Sequence, residues 1–190
     1  VEHFYDTIAD TYTKDHSRRF VDEIFECLLL EYLPRPPCKI LDAGGGIGRF
    51  SIPLAKRKYI VTLSDISQKM VDKAKELVVS EHLKNISFFK ESVTHMDHQQ
   101  NDFFDVVLLL NGVLDYCSDA KKALQEVYRV LKKGGLVIGT VNNRFIYTTT
   151  NILLEKKDTN AFMSSFTTGD YSKKFLIHDF TYDELVDFLN

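Results

Sequence analysis

The sequence predicts an α/β fold, doubly wound around a mainly parallel sheet, and three observations carry that prediction. Short apolar runs alternate with amphipathic stretches between residues 38 and 141. The runs are rich in Val, Ile, Leu and Phe along their whole length, as strands buried on both faces are. A glycine cluster, "ILDAGGGIGRF" at 40–50, stands where the first run gives way to a helix.

Residues 1–33 read as helical. "EHFYDTIADTYTKD" and "SRRFVDEIFECLLLEYL" place Phe20, Ile24, Leu28, Leu29 and Tyr32 at helical spacing. "PRPP" at 34–37 stops the second helix, because proline lacks the N–H and restricts the residue before it. "CKILDA" (38–43) is then a buried strand, and 47–57 a short helix with Pro53 at a kink or in its first turn. "YIVTLSD" (59–65) is a second strand. The helix at 67–83 has Ser67 as N-cap and Met70, Val71, Ala74, Leu77 and Val78 on one face. "ISFFKES" (86–92) and "FDVVLLL" (104–110) follow as strands. A helix over 118–135, capped by Ser118 or Asp119, turns Leu124, Val127, Tyr128 and Leu131 inward, and "LVIGTV" (136–141) is a fifth strand. Beyond Val141 the periodicity fades into an aromatic, Thr/Ser-rich stretch at 142–180. "TYDELVDFL" (181–189) starts a helix with Thr181 and Glu184 as a capping box.

The 190 residues, 44% hydrophobic, suffice for one domain with a substantial core. A net charge of −3 gives no general attraction to nucleic acid or an anionic membrane. Cys27, Cys38 and Cys117 lack metal-ligand or CxxC spacing, so they read as free thiols of a reducing compartment. No apolar run approaches a membrane span and no secretory signal is visible, which makes the cytoplasm the expected location.

A parallel α/β sheet takes its ligand at the carboxyl ends of its strands, where the Gly44–Gly48 loop falls. Gly44 and Gly46 fit the dinucleotide pattern GxGxxG, but Arg49 occupies the third place. Asp42 opposes a pyrophosphate and suits an ammonium or a sulfonium; the plainer alternative is a cap for loop amides. Asp65, at the end of the second strand, suits the ribose 2′ and 3′ hydroxyls; its alternative is to cap the 67–83 helix. A nucleoside that carries positive charge points to S-adenosylmethionine as cofactor.

Five segments in the right order then resemble a class I S-adenosylmethionine-dependent methyltransferase of the small-molecule type. "ILDAGGGIGRF" resembles the family's first motif, and "VTLSDISQKMVDKAKE" its second-strand segment. "FFKESVTHMD" is similar to the segment bordering the adenine, "FDVVLLLNGVLDY" to the fourth-strand motif, and "ALQEVYRVLKKGGLVIGTVNN" to the fifth, with Lys133 where proline is common. "YDTIADTY" (5–12) resembles the N-terminal helix that closes over the cofactor.

The resemblance implies a Rossmann-like methyltransferase fold in a single domain over 1–190. Its parts would be a helical cap at 1–33, a cofactor-binding core at 38–141 and a substrate lid or insertion at 142–180. Asp42, Gly44 and Gly46 would line the methionine moiety, with Gly48 packing the helix. Asp65 would hold the ribose and Ile66 would lie against the adenine. Glu91 and Ser92 would border the adenine amino group, although "KES" departs from the usual Gly-Asp-Ala. Asn111 would face the methionine part and the reaction centre, and Tyr12 would cap the cofactor, with Tyr5 near it.

Methyl transfer from a sulfonium needs chiefly positioning, so no dedicated catalytic residue is assigned. His95, His98 and His178 are the candidate bases, each read more plainly as a surface histidine. "HMDH" (95–98) is too small a cluster to hold a metal. Asp115 and Tyr116 are better placed to touch substrate, by fold analogy. The aromatics of 142–180 (Phe145, Tyr147, Phe162, Phe166, Tyr171) suit either an apolar or aromatic acceptor or the packing of a lid. No basic run with interleaved aromatics is present, which makes a nucleic-acid acceptor less expected than a small molecule. The family's antiparallel strand pair is expected to be missing from the sheet, leaving strand five as an edge and implying continuation past Asn190. Two other functions remain open: a non-catalytic S-adenosylmethionine-binding module, and a nicotinamide-dependent oxidoreductase.

Overall fold

A computed structural model describes residues 1–12, 19–142, 167–170 and 175–178. Two helices come first, α1 (Glu2–Tyr12) and α2 (Arg19–Tyr32). Then follow β1 (Lys39–Ala43), α3 (Ser51–Lys56), β2 (Ile60–Asp65), α4 (Gln68–Ser80), β3 (Ile86–Lys90) and β4 (Phe104–Leu109). The short α5 (Val113–Tyr116), α6 (Ala120–Val130) and β5 (Leu131–Gly139) complete the core, and a hairpin pairs β6 (Thr167–Asp170) with β7 (Phe175–His178).

The five-stranded sheet runs β3-β2-β1-β4-β5, and every pair in it is parallel. The order reverses between β1 and β4, so the crossovers leave in opposite directions and a crevice opens above their carboxyl ends. Alternation along the strands feeds two cores. Ile40, Val61, Val106 and Leu108 face a cluster built with Leu29, Phe50 and Leu54. Leu41, Val107 and Leu109 face the other way, against Ala123, Val127 and Val130 of α6. This is the predicted doubly wound sheet, buried on both faces.

Local chemistry sets the helix boundaries. Ser67 caps α4, its Oγ accepting the Met70 N–H at 3.2 Å, and Asp119 caps α6 by accepting the Lys122 N–H at 3.0 Å. Pro53 lies in the first turn of α3, where its missing N–H has no intrahelical partner to lose.

Several expectations are corrected. The helix predicted to run to residue 135 ends at Val130, and Leu131 already begins β5. Its inward face is Ala123, Val127 and Val130, while Tyr128 is 84% exposed. Two apolar stripes run side by side on α6, and the neighbouring one meets the sheet. On α2, Leu29 is buried, as is Leu33 just past its end, whereas Ile24, Leu28 and Tyr32 are exposed, for the same reason. Every described strand of the main sheet is parallel, and the antiparallel β6–β7 hairpin falls inside 142–180, where the sequence predicts no strand. The aromatics Phe145, Tyr147, Phe162, Phe166 and Tyr171 and the helix at 181–189 lie outside the described residues.

Candidate functional site

The switch point holds a cleft of about 910 Å³. Its wall includes all nine residues expected to contact a cofactor: Tyr12, Asp42, Gly44, Gly46, Asp65, Ile66, Glu91, Ser92 and Asn111. Eight come from the carboxyl ends of β1 to β4, where the sheet's topology brings them together, and Tyr12 is added by α1.

The glycine loop owes its shape to close approaches. Gly44 has φ +78°, and a Cβ there would meet Val113 Cγ2 at 2.5 Å. A Cβ on Gly45 would meet the Asp42 carboxylate at 2.8 Å. The loop therefore folds down onto α5 on one side and onto Asp42 on the other. Its N–H groups are partly spoken for, since Gly44 and Gly45 both donate to the Ser64 carbonyl.

Two buried acids flank this loop. Asp42 is 2% exposed, and its Oδ2 accepts the Ser51 hydroxyl at 2.6 Å. That bond ties the end of β1 to the first residue of α3. Burial pushes its carboxyl up to about 6, with the charge of Asp65 adding to the rise and the Ser51 hydrogen bond opposing it. Asp65 accepts the Gly46 N–H at 2.9 Å on one oxygen and the Ser67 N–H at 2.8 Å on the other. Burial raises its carboxyl too, against those hydrogen bonds. The helix N-cap is Ser67 and not Asp65, which ties the loop to β2 instead.

Beyond Asp65, Glu91 is buried, accepting from Gln99 Nε2 at 2.6 Å and from His98 Nδ1 at 3.2 Å. The Ser92 hydroxyl shares a hydrogen bond with Thr94 Oγ1 at 2.9 Å. Asn111 adopts φ +60°, a left-handed conformation that asparagine tolerates. Its N–H donates to Thr140 Oγ1 at 2.8 Å. Helix α1 closes the cleft. Asp6 accepts the Ser67 hydroxyl at 2.5 Å, Glu2 pairs with Lys90 at 2.9 Å, and Ala9 is buried with Ile47 and Met70.

A second cavity of about 440 Å³ adjoins the first, and Tyr5, Tyr12, Asn111 and Tyr116 line both. The rings of Tyr5 and Tyr12, and of Tyr5 and Tyr116, meet edge to face with centroids 6.5 Å apart. Asp115 is buried and accepts the Asn142 N–H at 3.1 Å, which joins the floor of the first cavity to the end of the described core. Neither His95 nor His98 is part of the cleft wall. Sequence reading missed Ser51, Gly45, Gln99 and the helix α5. Nothing local marks Ser51 or Gln99 as partners of buried acids, and α5 is a single turn with too few residues for a period.

The glycine loop and its buried acids meet in one cleft at the switch point, and comparison with known proteins gives the chain's family. The methyltransferase domain family matches residues 40–135. This chain belongs to the class I S-adenosylmethionine-dependent methyltransferases. It is 27% identical over 145 residues to a tRNA 5-carboxymethoxyuridine methyltransferase of Escherichia coli, a match covering 70% of this chain and 54% of that protein. It is 33% identical over 146 residues to a demethylmenaquinone methyltransferase of Bacteroides fragilis, covering 73% and 58% respectively. The chain thus spans little more than half the length of these methyltransferase relatives. A solved SAM-dependent methyltransferase from Methanosarcina mazei shares the fold, with a TM-score of 0.70 at 24% identity over 85% of this chain and 81% of that one. Among the described residues no helix is long and apolar enough to cross a membrane.

Proposed function

We propose that this protein transfers a methyl group from S-adenosylmethionine to an uncharged small-molecule acceptor by in-line displacement. The observation that carries the reading is the cleft's arrangement. Two buried carboxyls flank a glycine loop at the switch point, and a neutral, tyrosine-edged cavity opens beside them at Asn111.

The residues present fit the cofactor. Asp42 is a buried acid with no cationic partner among the described residues, beside glycines whose side a ligand can approach closely. It would face the ammonium of the methionine moiety, with Gly44 and Gly46 along the chain. Asp65 retains lone pairs on both oxygens for the ribose hydroxyls. Ile66 and Tyr12 would cover the adenine and the closed side, with Glu91 and Ser92 at the adenine edge. When bound, S-adenosylmethionine supplies an already activated methyl carbon. The protein's part is to hold the acceptor in line and to exclude water, and such positioning is worth up to roughly 7–11 kcal/mol. Tyr5, Tyr12 and Tyr116 form the shared rim, and Asn111 stands at the junction where an acceptor's nucleophile would meet the methyl.

The electrostatics favour a small acceptor over RNA. Glu2, Asp42, Asp65, Glu91, Asp115 and Asp119 line the first cavity, against Arg49 and Lys121, and Arg49 is paired with Asp22. No charged side chain is among the described residues lining the second. A polyanion gains nothing from these walls. Three free thiols suit a reducing, cytoplasmic setting, and we read the chain as one methyltransferase domain. The test supplies methyl-labelled S-adenosylmethionine with either a low-mass metabolite extract or total tRNA. The label should enter the low-mass fraction; label in acid-precipitable RNA would overturn the choice of acceptor.

A further inference from the structure

The connection from β3 to β4 contains no helix, yet it delivers the acid at the base-facing end of the cleft. Residues 91–103 descend from the carboxyl edge of the sheet to its opposite edge, crossing the face covered by α6. The anchor on that face is Arg129. Its guanidinium has five N–H donors, and each has an acceptor. Nε donates to Glu126 Oε1 at 3.0 Å, and Nη2 to Glu126 Oε2 at 2.7 Å and to the Met96 carbonyl at 2.8 Å. Nη1 donates to the Gln99 carbonyl at 2.9 Å and to Asn101 Oδ1 at 2.8 Å.

Glu126 completes the clamp by accepting the Met96 N–H at 2.8 Å. The Arg129 guanidinium holds the Glu126 carboxyl below its ordinary value, which keeps it an acceptor. Met96 itself is fully buried. The loop is thus fixed at Met96, Gln99 and Asn101 by one side chain of α6. What the clamp presents to Glu91 is Gln99. It is 7% exposed, and its Nε2 reaches Glu91 Oε1 at 2.6 Å. On the other side, His98 stacks on Phe89 with ring centroids 5.5 Å apart and meets Glu91 Oε2.

We infer that Gln99, held by the Arg129–Glu126 clamp, is a positioning residue that aims the Glu91 carboxylate into the cleft and sets its selectivity for a base bearing an exocyclic amino group. The physical reason is the carboxylate's freedom. Without Gln99 the glutamate rotates about its terminal torsion, which is broad, and offers a ligand N–H a poorly aligned acceptor. With one oxygen pinned by Gln99 and the other by His98, the remaining lone pairs have fixed directions. A purine with an amino group donates to them, whereas one with a carbonyl at that place meets them with like polarity. A site built around a hydrogen bond rejects a ligand that cannot make it. The inference rests on the proposed reading of Glu91 as the base-facing residue.

The test compares calorimetric dissociation constants for S-adenosylhomocysteine and S-inosylhomocysteine in four proteins: wild type, Gln99→Leu, Glu91→Gln and the double variant. Wild type should prefer the adenosyl compound by about tenfold or more, and Gln99→Leu should shrink that preference at least about threefold. In the Glu91→Gln background, Gln99→Leu should have no further effect on the preference, since Gln99 acts through Glu91. Arg129→Lys keeps the charge but not the five-donor fork, and should shrink the preference in the same direction. A Gln99→Leu preference equal to wild type, or additive effects in the double variant, would overturn the inference. Failure of wild type to bind either compound would instead bring down the cofactor reading on which the inference stands. A structural loss alone would weaken both ligands equally, and so leave the ratio where wild type has it.

Discussion

Asp42 and Asp65 sit at the carboxyl ends of neighbouring strands and are both acids, yet their surroundings differ. Asp65 is held by two backbone N–H groups, so its ionised form has fixed acceptors around a ligand site. Asp42 is more deeply buried, and burial, with the charge of Asp65, lifts its carboxyl from 3.8 to about 6 against its hydrogen bonds with Ser51. The folded protein therefore binds a proton that the unfolded chain releases between those values. The unliganded protein should lose stability as pH rises from about 4 to about 6, by up to about 3 kcal/mol from this group. A ligand ammonium at Asp42 favours the ionised carboxylate, so affinity for S-adenosylhomocysteine should rise through the same range and level off above it. Urea titrations and calorimetry at pH 4.5, 5.5 and 6.5 check both slopes. Asp42→Asn should flatten them, and an unchanged pH profile in that variant would count against Asp42 as the group responsible.

Among the elements, the glycine loop and α5 act as one unit. Gly44 is close to Val113, and it needs φ +78° besides. Gly46 has φ +56° but open space around its Cβ position. Alanine at either place incurs the left-handed backbone cost of about 1–2 kcal/mol. Only Gly44→Ala also pushes against Val113, so it should destabilise the protein more than Gly46→Ala by about 1 kcal/mol or more. Equal urea midpoints for the two would refute the contact. The same loop shows what a sequence can and cannot disclose. Glycines after an apolar run and acids at strand ends are local signals, and Asp42, Gly44, Gly46 and Asp65 could be chosen from them. The partners that fix Glu91 lie further along the chain, Gln99 eight residues beyond it and Arg129 thirty beyond Gln99. No periodicity records such pairings. Tyr128 was misplaced because periodicity identifies an apolar stripe but not which of two adjoining stripes the sheet will cover. The hairpin at β6 and β7 was missed because "TTGD" and "FLIH" are each too short for alternation to register.

At the scale of the whole molecule, sheet order converts scattered residues into one site. Strands β1, β2, β3 and β4 all end on the same edge, and the reversal between β1 and β4 opens the crevice there. Two cores, one per face, hold that edge in place. The resemblance in the sequence reached this architecture because buried parallel strands write themselves as continuous apolar runs, and the order of the runs is the order of the fold. What it did not reach is the second cavity, which forms only when α1, α5 and the end of β5 meet. The central claim is that this edge binds S-adenosylmethionine through Asp65, and calorimetric titration with S-adenosylhomocysteine tests it most directly, wild type beside Asp65→Asn. The account predicts micromolar binding to wild type and at least about tenfold weaker binding to the variant, as expected for losing hydrogen bonds to a charged acceptor. No binding by wild type, or equal binding by the two proteins, would contradict it.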